Sequence, residues 1–60
     1  MTVELLNELL RRAVAERQSL RERGAGEAAL ERNRLLIVDL QWQLSWALVA
    51  RYIPQARAAA

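Results

Sequence analysis

Residues 35–53 read LLIVDLQWQLSWALVARYI, and what this stretch packs against decides the fold. It is nearly as apolar as a membrane span, yet Asp39, Gln41, Gln43 and Ser45 interrupt it. Asp39 at mid-bilayer would cost roughly 2.5–3.5 kcal/mol, and two glutamines and a serine add to that. A helix lying on a membrane surface would show one apolar face and one strongly charged face. Placed at about 100° per residue, this helix shows neither pattern. Leu30, Ile37, Leu40, Leu44, Ala47 and Leu48 gather on one side. Leu35, Val38, Trp42, Trp46, Val49 and Ile53 gather nearly opposite. Two thin polar lines divide them, one through Arg32, Asp39 and Gln43, the other through Arg34, Gln41 and Ser45. A helix with two apolar seams needs two neighbours.

The chain itself supplies the first. Leu6, Leu10, Ala13, Arg17 and Leu20 step by four and three, and Val3, Leu9 and Val14 widen the stripe, which is the pattern of an amphipathic helix. Thr2 suits its N-cap, and Glu4 suits the positive end of its dipole. Arg21 and Arg23 suit its last turn, and Gly24 the left-handed position just past it. Gly26 can open the second helix, with Glu27 and Glu31 near its N-terminus. Pro54 should end that helix, because proline lacks the N–H and disfavours a helical residue before it. The expected organisation is one all-α domain over residues 1–60. It comprises helix 1 at about 3–23, a loop at 24–26, helix 2 at about 27–53 and a tail at 54–60. So short a loop makes the helices antiparallel, an αα-hairpin.

Within the hairpin, Leu6, Leu10, Ala13 and Leu20 are expected to pack on Ile37, Leu40, Leu44 and Leu48. The other seam, Leu35, Val38, Trp42, Trp46, Val49 and Ile53, would then lie in water, a patch that soluble monomers rarely expose. A second copy covers it most simply, giving a homodimeric four-helix bundle. Length points the same way: a 60-residue chain commonly needs disulfides, a metal or a partner, and this one has no Cys and no His. Oligomerisation is the reinforcement left. Charge is concentrated near the loop, so the packed core is expected toward the terminal end of the hairpin and a solvated tip at the loop.

The same absences narrow the chemistry. Without Cys or His there is no thiolate site, no imidazole base and no usual zinc set. Ser19 and Ser45 have no base beside them, and no glycine-rich phosphate loop follows a strand. We expect no catalytic residues, no metal and no cofactor, and a protein that works by binding other proteins, in a regulatory or adaptor capacity. An alternative is an obligate subunit of a heteromeric complex. Trp42 and Trp46, four apart on one face, read as an interface pair whose indole N–H groups need acceptors such as Asp39, Gln43 or Ser45 of the partner. Asp39 reads as a residue of the polar line, exposed or paired across the dimer. Arg17 and Arg51 sit on seams and are expected to carry their charges outward while their stems cover the core.

All nine basic residues are arginine against seven acidic ones, a net charge of +2. Arg21, Arg23 and Arg34 near the loop would serve a nucleic-acid site, but glutamates interleave with the arginines and no single-sign stripe forms. Pairs such as Glu8 with Arg12 suit salt bridges within the helix instead. An all-arginine basic set hints at a GC-rich, bacterial genome. The opening residues lack the basic and apolar regions of a signal peptide, so the cytoplasm is the expected location.

Two families of small helical hairpins share local features. ELLNELLRR at 4–12 resembles the first helix of a small two-helix protein of the bacterial large ribosomal subunit. That family's second helix is basic and RNA-facing, whereas LLIVDLQWQLSWALV is apolar. QWQLS at 41–45 is the nearest stretch to the SQELD motif of the small sporulation phosphatases, and it lacks the acidic pair. Neither similarity extends to the residues that would carry a function.

Overall fold

The computed structural model describes residues 1–59, with side chains through Ile53, and these form two helices packed against each other. Helix α1 spans Val3–Glu22 and helix α2 spans Glu27–Ala59. Thr2 adopts extended backbone at the N-cap, and its Oγ1 accepts the Leu5 N–H at 3.0 Å, satisfying one of the orphan donors of the first turn. At the other end the Gly24 N–H donates to the Arg21 carbonyl and the Ala25 N–H to the Leu20 carbonyl, at 3.1 and 2.9 Å. This is the Schellman pattern, and it places Gly24 at φ 68°, where a Cβ would be strained. The Gly26 carbonyl accepts the Leu30 N–H and starts α2.

Helix α2 continues past Pro54 to Ala59, where the sequence predicts a stop and a tail. Proline forfeits one backbone hydrogen bond and crowds the preceding turn, at about 3 kcal/mol. The residues that follow, QARAA, are strong helix formers and carry the helix on.

The buried residues of α1 are Leu6, Ala13 and Leu20, seven apart, with Leu10 half-buried between them. On α2 they are Asn33 and Leu40, with Ile37, Leu44 and Ala47 half-buried along the same seam. Alternating steps of three and four keep one narrow seam facing its neighbour, as in an antiparallel coiled coil. Leu48 falls outside this core at 37% exposure, although the sequence places it on the seam. It lies at the edge of the apolar arc, opposite the first turn of α1, where little of that helix remains to cover it.

Packing is not confined to the terminal end, as the charge distribution suggested. Leu20 and Asn33 are buried near the loop, and a polar layer holds that end together. The Asn33 Nδ2 donates to the Ala13 carbonyl at 2.9 Å. Arg17 Nη1 donates to the Leu30 carbonyl at 3.2 Å and to Asn33 Oδ1 at 3.4 Å. Arg17 therefore does not turn its charge outward: its guanidinium crosses to α2, where the Leu30 carbonyl and the Asn33 amide oxygen lie within hydrogen-bonding reach. No buried side-chain polar atom among the described residues lacks a partner.

Candidate functional site

The seam toward α1 takes Ile37, Leu40 and Leu44, so α2 presents its second seam on the opposite side. Leu35, Val38, Trp42, Trp46, Val49 and Ile53 are all exposed there. The tryptophans are the extreme case, with 63% and 66% of their surfaces in water although these are the two largest side chains in the protein. One turn of helix separates them, so their rings project from the same face. At about 25 cal/mol per Å² of apolar surface, leaving such rings hydrated forgoes one of the largest gains the chain has available.

The polar lines beside this face are tied down locally. Gln43 Nε2 donates to Asp39 Oδ2 at 2.7 Å, and Ser45 Oγ donates back to the Gln41 carbonyl at 3.0 Å. Asp39 is exposed and keeps its second carboxylate oxygen available on the edge of the face. A shallow hollow of about 200 Å³ lies between Gln41, Trp42 and Ser45. Glu31, near the start of α2, is bound by the Arg34 guanidinium at 2.6 Å, which holds its carboxyl below the usual range and raises the arginine.

A second apolar feature, which the helical wheel does not single out, runs along one side of the hairpin. Leu9, Ala13, Leu36 and Leu40 line an open groove of about 390 Å³ with Arg12 and Glu16 at its rim. Leu36 belongs to neither seam on the wheel. Only the packing of α1 beside it makes a groove, so no signal within α2 alone could have revealed it.

Five of the arginines, Arg11, Arg12, Arg23, Arg34 and Arg51, are engaged with glutamates. Arg11 and Arg12 both bind Glu8, at 2.6 and 3.1 Å, and their hydrogen bonds lower the Glu8 pKa. Arg23 reaches Glu16 at 3.4 Å. Arg51 clamps Glu4 across the two helices, at 3.1 and 3.3 Å, in an exposed pair that lowers the glutamate and raises the arginine, chiefly through the side-chain hydrogen bond. Its head is thus directed at an acid on α1 rather than simply into solvent.

Among the described residues, no three acidic, Cys or His side chains gather as a metal site, and no helix is long and apolar enough to cross a membrane. No protein-family model, no curated protein and no solved structure matches the chain.

Proposed function

We propose that this hairpin is a protein-binding module that pairs with a second copy of itself through the outer face of α2, forming a four-helix bundle. The observation that carries the reading is the exposure of both tryptophans and four aliphatic side chains on the face that α1 leaves uncovered.

Of the arginines near the loop, Arg23 and Arg34 are paired with Glu16 and Glu31, and this interleaving of signs argues against a nucleic-acid face. Activity through binding rather than catalysis, and residence in the cytoplasm, belong to the same reading. Light scattering on the purified chain at tens of micromolar tests it. Twice the chain mass of 6.9 kDa is expected, and a monomer would overturn self-association. A chain that stays aggregated until mixed with a different protein would favour an obligate subunit of a heteromeric complex.

A further inference from the structure

Resting on the self-association proposed above, we infer that two hairpins dock α2 against α2 antiparallel, about a two-fold axis passing beside Trp42. The first observation is the spacing of the exposed apolar residues. Over its central five residues the seam is symmetric: Leu35, Val38, Trp42, Trp46 and Val49 are separated by three, four, four and three residues, the same in both directions from Trp42, and Ile53 extends the seam at one end only. A two-fold interface uses one patch twice, and in an antiparallel pair the residues before the axis meet those after it. Val38, four before Trp42, then meets Trp46 of the second copy, four after it. Leu35, seven before, meets Val49 of the second copy, seven after. The bulk is spread evenly, with a large ring against a small side chain on either side of the central pair.

Parallel docking would set Trp42 on Trp42 and Trp46 on Trp46, with Val38 on Val38 beside them. The helices would be held apart at two adjacent layers and would leave a void at the next. Interfaces pack to the density of protein interiors, so the even arrangement is favoured. The antiparallel arrangement also sets the positive end of each long helix dipole beside the negative end of the other.

The polar flanks supply the second observation. An antiparallel two-fold keeps each flank of α2 against the same flank of its copy. Asp39 and Trp46 share one flank and lie nearly equidistant from Trp42, on opposite sides of it. The carboxylate of Asp39, whose one partner in the hairpin is Gln43 on its own helix, is thereby brought to the indole N–H of Trp46 in the second copy. Trp46 has its ring exposed and needs an acceptor once buried. Gln41, on the other flank and next to the axis, meets Gln41 of the second copy, and two amides can bond reciprocally. In parallel docking, opposite flanks would face each other and Asp39 would lie against Val38.

The chain has no cysteine, so the arrangement can be read by cross-linking single-cysteine variants. Leu35→Cys and Val49→Cys both fall on exposed positions outside the hairpin core, and circular dichroism should show unchanged helix content. When the two variants are mixed and oxidised, the antiparallel dimer yields a covalent heterodimer, while neither variant alone is cross-linked. Disulfides by each variant alone, with no heterodimer preference, would mean parallel docking and overturn the inference. A dimer that gives neither pattern would place the interface elsewhere and overturn it equally. Light scattering on the cysteine-free parent separates the two levels: a monomeric parent removes the self-association itself, whereas a dimeric parent with the wrong cross-links removes only the antiparallel register.

Discussion

The side chain of Asn33 reaches across the hairpin to the backbone carbonyl of Ala13, 2.9 Å away, from a position only 6% exposed. The smallness of residue 13 allows this approach, since a longer side chain at that point of the seam would occupy the space of the amide. Arg17 completes the layer from the next turn of α1. One polar layer inside an otherwise apolar seam favours this register: sliding either helix by one turn would set Asn33 against Leu10 or Arg17, whose larger side chains crowd the carbonyl that Ala13 leaves open.

Removing the amide should therefore cost more than removing an exposed polar group. Asn33→Ala is expected to destabilise the hairpin by about 1–2 kcal/mol, from one buried hydrogen bond and a small void. Ala13→Leu should cost about 1–3 kcal/mol by overpacking, and it also blocks the Asn33 bond. Urea unfolding followed by circular dichroism checks both. An Asn33→Ala midpoint equal to the parent's would show that the layer contributes nothing to stability.

Gly24 is required by backbone geometry alone. Its φ of 68° lies in the left-handed region, and nothing within 4 Å would obstruct a Cβ there. Gly24→Ala should thus cost about 1 kcal/mol through conformation rather than collision. Gly24→Asn should cost less, because asparagine tolerates this region. Equal midpoints for alanine and asparagine would speak against that cause.

The outer face predicts a separation of folding from association. Trp46 is exposed in the hairpin, so Trp46→Ala should leave helix content intact while weakening the proposed dimer by about 2–4 kcal/mol, the range of an aromatic interface anchor. Sedimentation across a concentration series reads this directly. A variant with unchanged self-association would exclude Trp46 from the interface.

The pH dependence follows from the glutamates. Arg51, Arg11 with Arg12, and Arg34 hold Glu4, Glu8 and Glu31 respectively below the ordinary carboxylate range in the folded chain. A depressed folded pKa means that the unfolded state binds protons more readily. The stabilisation is then present above the unfolded value near pH 4.3, and it is lost as pH falls through the folded values. Thermal unfolding should show Tm falling below about pH 4, with a smaller fall at high salt because all three glutamate pairs are exposed. Glu4→Gln should flatten its share of that fall. A Tm that rises on acidification would contradict the assignment.

Much of the hairpin was legible in local sequence because its causes are local. A threonine cap, a glycine at the left-handed position and steps of three and four along 6–20 act within a turn or two of themselves, and each is found where the residue type demands it. The separation of α2 into two seams is likewise a property of periodicity. Pro54 points to a stop for an equally local reason, since its missing N–H acts on the turn before it, whereas the helix-forming residues after it carry α2 on to Ala59.

What only the tertiary structure decided is how the two helices meet. Asn33 carries no mark within α2, and its partner lies 20 residues back in the chain; the Arg51–Glu4 pair spans 47. Both seams of α2 are apolar enough to receive α1, so hydrophobicity alone does not choose between them. The seam that faces α1 is the one that carries Asn33, whose buried amide finds an acceptor on Ala13, leaving the tryptophan face outward. Apolar periodicity marks both seams alike, and only the observed packing shows which one carries a directional bond to a residue distant in the chain.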